Sequence, residues 1–140
     1  MSPPLPFINE EGAGQKHSDL CHYSQAVVLP NGIVKCSGQG GWTTTGDLTD
    51  DVERQVDLAF ENVDRVLQAV GLRGWEDVYL LRSYSVNIET DFNIIVDRLK
   101  KRIPGHRPVW TAIGVPKLAF PQMMVELEVE AYAPNKATQA

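Results

Sequence analysis

From Met123 to Ala133 the chain alternates without a break. Met123, Val125, Leu127, Val129 and Ala131 fall on one side, and Met124, Glu126, Glu128, Glu130 and Tyr132 on the other. A period of two is that of a β-strand whose two faces meet different surroundings. The fold must therefore supply a sheet with one face against an apolar layer and another face that tolerates three glutamates.

A second strong pattern supplies that layer. Val52, Val56, Ala59, Phe60, Val63, Val66, Leu67 and Val70 recur at helical spacing, so a helix is predicted over 49–70. Thr49 or Asp50 stands at its N-cap, Asp50 and Glu53 have capping-box spacing, and Gly71 stops it. A second helix is expected at 91–103, capped by Thr90, with Phe92, Ile95, Val96, Leu99 and Ile103 as its stripe and Pro104-Gly105 as its end. Strands are expected at 25–29 and 32–37 around an Asn31-Gly32 type I′ turn, and at 77–86, 109–115 and 123–133. In the 77–86 strand, Val78, Leu80, Tyr84 and Val86 are assigned to one face and Tyr79 and Leu81 to the other.

The order is β-β-α-β-α-β-β, an α+β fold with two helices on one face of a sheet. Residues 1–13 read as a flexible arm, 14–133 as one domain and 134–140 as a tail. A glutamate-bearing sheet face that also carries apolar residues is best covered by another copy of the chain, so a homo-oligomer is expected.

Composition narrows the function classes. The 140 residues carry 13 basic and 18 acidic side chains, a net charge of −5, which argues against a dedicated nucleic-acid binder. No apolar run approaches the ~20 residues that cross a bilayer. The N-terminus lacks the basic and apolar regions of a signal peptide. Cys21 and Cys36 read as reduced thiols, and the expected location is cytoplasmic. No metal or cofactor is expected. Cys21-His22 with His17 has no zinc spacing, His106 is isolated, and the Ser37-Gly-Gln-Gly-Gly stretch lacks the lysine of a phosphate loop.

Several stretches together resemble the Rid family, also called YjgF/YER057c/UK114. They are Tyr23-Ser-Gln-Ala-Val27, Ser37-Gly38-Gln39, Asn62-Val63, Leu67-Gln-Ala-Val-Gly71-Leu72, Asp91-Phe92, Arg107-Pro108 and Glu126-Leu-Glu-Val-Glu-Ala131. The resemblance spans residues 14–133. It implies a chorismate-mutase-like fold and a homotrimer, with sheets forming an inner barrel, helices outside and ligand pockets between subunits. It also implies hydrolysis of reactive enamines and imines such as 2-aminoacrylate.

By the same resemblance, Glu128 matches the glutamate that positions water and Tyr23 the pocket tyrosine. Ser37, Gly38 and Gln39 match the binding loop. The arginine that clamps a substrate carboxylate is here Trp110, a neighbouring cysteine is Ala112, and a pocket asparagine is Val96. Trp110 has two readings, a plate for a planar or aromatic small-molecule ligand or a filler that closes the pocket. Arg107 is three residues from Trp110, an odd offset that points it to the opposite face unless the chain bends at Pro108. Arg82, one strand away from the glutamates, is their neutralising partner, and an ion-pair network there competes with a catalytic reading of Glu128. Trp42, after Gly40-Gly41, is either a lid or a cap on the core edge. Arg98, Lys100, Lys101, Arg102, His106 and Arg107 are a basic cluster without the interleaved aromatics that base stacking needs. Two functions from different classes remain: a deaminase-type hydrolase acting on a reactive imine, enamine or related metabolite other than a simple amino-acid derivative, and a non-catalytic metabolite-binding or regulatory trimer, with an endoribonuclease-like activity ranked behind both.

Overall fold

The computed structural model describes residues 5–134. The elements are β1 (Phe7–Ile8), α1 (Ala13–Cys21), β2 (Ala26–Val28), β3 (Ile33–Cys36), β4 (Gln39–Gly40), α2 (Val52–Ala69), a 3-10 turn (Trp75–Asp77), β5 (Val78–Ser85), α3 (Ile88–Arg102), β6 (Val109–Gly114) and β7 (Val125–Tyr132). The fold is α+β, with a seven-stranded sheet in the order β1-β2-β3-β7-β5-β6, β4 pairing with β7 beyond the end of β3. Among the described strands only β5 and β6 run parallel, and α3 is their crossover.

β7 sits in the middle of the sheet and behaves as its alternation requires. Val125, Leu127, Val129 and Ala131 are at most 1% exposed, under α2. The α2 stripe closes over them through Val56, Ala59, Val63, Val66 and Leu67. Trp75 completes this core, stacked on Phe60 and donating its indole N–H to the Phe60 carbonyl at 3.0 Å. Asp51, not Thr49 or Asp50, caps α2, accepting from Glu53 N–H at 3.2 Å. Gly71 ends the helix at φ 95°, as its position predicts.

Other elements depart from expectation for identifiable reasons. The β2–β3 turn is not type I′. Gly32 N–H bonds to the Leu29 carbonyl, and Gly32 alone has positive φ. Pro30 holds φ negative, which selects a type I turn followed by a glycine bulge. α3 begins at Ile88, three residues early, and Thr90 donates its hydroxyl to the Asn87 carbonyl at 3.2 Å inside the first turn.

The N-terminal stretch read as an arm is tied down where it is described. Asn9 accepts from Gln25 N–H at 2.9 Å and donates to Ser18 Oγ at 3.1 Å. Glu10 is buried, accepts from Gly14 N–H at 2.6 Å and lies 3.6 Å from Arg65. These bonds order β1 and start α1, and two of the partners, Gln25 and Arg65, are distant in sequence. Of the expected tail, residues 135–140 lie outside the described residues. Trp42 takes the core-edge position, 3% exposed beside Ala13 and Met123.

β5 corrects the face assignment. Its pairing with β7 shifts between Val78 and Leu80, the signature of a bulge. Beyond the bulge Leu81, Ser83 and Ser85 are buried on the helix side. Leu80, Arg82 and Tyr84 instead stand opposite Glu130, Glu128 and Glu126.

Candidate functional site

The sheet face away from the helices is where β7 presents its glutamates. Register places Arg82 across from Glu128 and Tyr84 across from Glu126. The partners of the three carboxylates are unequal. Glu130 accepts from the Tyr79 hydroxyl at 2.6 Å and lies 3.6 Å from Arg82 and 4.0 Å from Lys35. Glu128 accepts from the Tyr84 hydroxyl at 2.7 Å and lies 3.6 Å from Arg82. Glu126 has neither hydrogen bond nor ion pair among the described residues. It lies against Gly38, where a Cβ would overlap its carboxylate, and burial, then the Glu128 charge, pushes its pKa up.

The phenols around these carboxylates stay protonated. The bond to Glu128, then burial, raises Tyr84, while burial and Glu130 push Tyr79 up to about 12. Tyr23 is raised mainly by burial, sits beside Gln25 and feels the Glu126 charge. Tyr23 thus belongs to the Glu126 end of the face, and the phenol bonded to Glu128 is Tyr84. Tyr84 is the site residue that sequence reasoning missed. The signal was present: once Arg82 is paired with the glutamates, Tyr84 at i+2 must share its face.

The Ser37-Gly38-Gln39 loop borders this surface. Ser37 Oγ donates to the Ser24 carbonyl at 2.7 Å, and the buried Gln39 amide donates to Gln25 Oε1 at 2.7 Å and to the Ser37 carbonyl at 3.1 Å. Those side-chain donors are engaged within the protein. Asn62 on α2 fixes the next residues, its amide donating to the Gly40 and Trp42 carbonyls at 2.9 Å each. Ser37 and Glu128 line one open groove of about 350 Å3 with Phe7, Ser24 and Lys35.

Trp110 lies elsewhere. It pairs in register with Leu81 and so faces the helix side. Its indole N–H donates to Ser83 Oγ at 2.9 Å, and its ring stacks on Phe92 at 4.8 Å and 8°. With Val96, Leu99, Lys100, Ile103, Pro104 and Arg107 it lines a groove of about 700 Å3 between α3 and the start of β6. The condition for Arg107 to reach the side of Trp110 is met: β6 begins only at Val109, so strand alternation does not extend to Arg107, and both residues line the same groove. Part of the α3 stripe, Val96, Leu99 and Ile103, also lines this groove, while Ile95 is 1% exposed in the core and Phe92 is 40% exposed. One chain therefore brings Glu128, Arg82, Tyr84 and Ser37 to one face, and Trp110 and Arg107 to another. Of the cysteines, Cys36 is buried, which pushes its thiol up to about 12, well above the range of a reactive thiolate.

Residues 15–133 match the family described as Endoribonuclease L-PSP. The RutC family protein YjgH of Escherichia coli is 32% identical over 100 residues, 70% of this chain and 75% of that protein. A solved structure of protein YjgH superposes with a TM-score of 0.82 at 27% identity, covering 94% of this chain and 98% of that one. The conserved Rid-family protein YyfA of Yersinia pestis, of unknown function, gives 0.80 at 27% identity over 92% and 99%. The matched span and the shared chorismate-mutase-like fold together establish that this chain belongs to the YjgF/YER057c/UK114, or Rid, family.

Proposed function

We infer that this protein acts as a homotrimer with small-molecule sites between subunits, where it hydrolyses a reactive imine or enamine other than a simple amino-acid derivative. The observation that carries the reading is the setting of Glu128: a carboxylate at an open groove, held by a phenol at 2.7 Å and flanked by a guanidinium at 3.6 Å. Such a group can orient water and take its proton. As the water oxygen bonds to the imine carbon, Glu128 accepts one water proton and Tyr23 gives its phenolic proton to the nitrogen. The carbinolamine then breaks its C–N bond. Glu128 returns its proton to the departing nitrogen, and the phenolate recovers one from the new hydroxyl. The Trp110 and Arg107 groove lies on the other side of the same sheet, so an adjoining copy has to complete the pocket.

A second reading, a non-catalytic metabolite-binding trimer, is favoured by Trp110 itself. Its N–H and one ring face are already engaged by Ser83 and Phe92. The family's endoribonuclease description finds less support. Arg98 is paired with Glu53, Asp57 and Asp97, and Arg102 with Asp64 and Glu76, so much of the basic cluster is neutralised by carboxylates.

Ammonia release from freshly generated imines tests the hydrolase. The protein is expected to accelerate benzaldimine, an aromatic imine without a carboxylate, and to stay near the buffer blank with the amino-acid derivative iminopyruvate. Glu128→Gln should cut the rate about a hundredfold, the scale of a lost general base. No acceleration of either substrate leaves the binding reading.

A further inference from the structure

We propose that Glu126 is the proton source behind Tyr23, passing its carboxyl proton to the phenol as the phenol protonates the substrate nitrogen. The inference rests on the hydrolase reading above and gives a role to a carboxyl which that reading leaves unused. Glu126 and Glu128 are two residues apart on β7, so their side chains share a face about 7 Å apart along the strand. That span leaves room for water and a reacting C=N group between two carboxyls. Their surroundings differ. Glu128 accepts from Tyr84 at 2.7 Å and lies 3.6 Å from Arg82, so a proton donor and a cation both attend it. Glu126 has no hydrogen bond or ion pair among the described residues and rests on Gly38, where any side chain would overlap its carboxylate. Two carboxyls in contrasting environments on one face are the arrangement that divides acid from base work.

The titratable neighbours of Glu126 are Tyr23, Tyr84 across on β5 and Glu128 on β7 itself, while β4 and the loop before it bring Gly40 and Gly38. Beside Tyr23, Gln25 is fully buried and its amide nitrogen has no hydrogen-bond partner, so this end of the face holds an unused donor as well as an unused carboxyl. Burial raises the Tyr23 pKa, which makes a free Tyr23 phenolate costly. Burial, then the Glu128 charge, raises Glu126, so its proton persists to higher pH yet leaves more readily than a phenol's. As the water oxygen bonds to the imine carbon, Glu128 takes a water proton, the nitrogen takes the Tyr23 proton, and Tyr23 takes the Glu126 proton. The products are the carbinolamine, protonated Glu128 and a Glu126 carboxylate. The C–N bond then breaks with its electron pair on nitrogen, which takes the Glu128 proton and leaves as ammonia. The hydroxyl oxygen forms the carbonyl, and its proton returns through Tyr23 to Glu126. No free phenolate accumulates, and both carboxyls end as they began.

Two substrates separate a proton source from a structural residue. Benzaldimine needs a proton on nitrogen as water adds. N,N-dimethylbenzaldiminium already carries the positive nitrogen, so water adds to it without a donor. Benzaldehyde formation from each is followed by stopped-flow absorbance for the full-length parent, Glu126→Gln and Glu128→Gln. Glu126→Gln should lose about a hundredfold on benzaldimine and stay within about threefold of the parent on the iminium. Glu128→Gln should slow both, because both need an activated water. The parent's advantage over Glu126→Gln on benzaldimine should be greatest at acidic pH and shrink as pH rises through the raised Glu126 value, since an ionised carboxylate has no proton to give. Glutamine matches glutamate in size, and a circular dichroism spectrum like the parent's checks the fold. Equal losses on the two substrates overturn the proposal, as does full benzaldimine activity in Glu126→Gln, or an advantage that does not shrink with pH. A parent active only on the iminium overturns it too, because it would lack a working donor. An active parent with an unaffected Glu126→Gln removes the relay alone, whereas a parent inactive on both substrates removes the hydrolase and the relay together.

Discussion

Gly38 and Glu126 form a pair whose meaning lies in what each lacks. Gly38 has no Cβ, and the space is taken by a carboxylate that has no hydrogen-bonding partner among the described residues. Alanine at Gly38 is expected to cost about 1–3 kcal/mol by overpacking. A Gly38→Ala, Glu126→Ala double variant should recover much of the loss in urea denaturation, because the clash is shared between the two side chains. Glu126 has its own pH signature. Its folded pKa is raised by burial, so the native state holds that proton more tightly than the unfolded chain. Stability from this group is present below the unfolded carboxyl pKa and is lost as pH rises through the raised folded value. Glu126→Gln should therefore melt higher than the parent at pH 7, by ~4 °C for a change on the order of 1 kcal/mol, and the gap should close at pH 4. A strand glutamate whose charged form is penalised by burial, beside Tyr23 and near Glu128, fits a site that uses it.

At the scale of elements, α1 shows how a polar segment is held in place. His17 is 5% exposed, edge-on to Trp42 at 4.4 Å and 5.4 Å from Phe120, and its Nδ1 has no partner. Burial, then Lys16, lowers its pKa, and Glu10 opposes weakly. The sign follows directly. The unfolded imidazole takes up a proton near pH 6.5 while the folded one resists, so this stability is complete above 6.5 and is lost as pH falls below it. His17→Phe should flatten the dependence of melting temperature between pH 7.5 and 5, and an unchanged acid slope would show that His17 is not its source. The same helix marks where sequence reasoning stops. α2 and β7 were legible because their own periodicity is clean. α1 has no such stripe, and its anchors at Asn9, Glu10 and Gln25 are tertiary. The faces of β5 were misread because one bulge near Tyr79 reverses the alternation after it. In the site, Glu128 beside Arg82 could be inferred from sequence, since opposite charges on neighbouring strands seek each other. The Arg107–Trp110 groove could not, because it depends on where β6 begins.

At the scale of the molecule, the sheet face away from the helices is the unresolved surface. Phe7 is 50% exposed, Tyr79 37%, Val109 64%, Ile113 36% and Tyr132 48%. By register Phe7, Val109, Ile113 and Tyr132 share the face of Lys35, Arg82 and Glu128, and Tyr79 reaches it through its bond to Glu130. Five large apolar side chains around a charged centre are more than a monomer ordinarily leaves in water, and the pattern is that of an interface. The carboxylates favour a wet, ion-paired centre over a dry one. Glu130 and Glu128 already share Arg82, so these two can be enclosed without stranding a bare charge, whereas Glu126 has no cation beside it among the described residues. The expected assembly is the trimer, which light scattering should report as about three chain masses at micromolar concentration. Ile113→Glu adds a charge to the apolar rim, away from Glu128. It should shift the protein toward monomer while leaving its secondary structure intact, since Ile113 contributes to no core cluster. If the sites lie between subunits, imine hydrolysis should fall with the trimer. Retention of hydrolysis in a folded monomer would instead confine the whole site to a single chain.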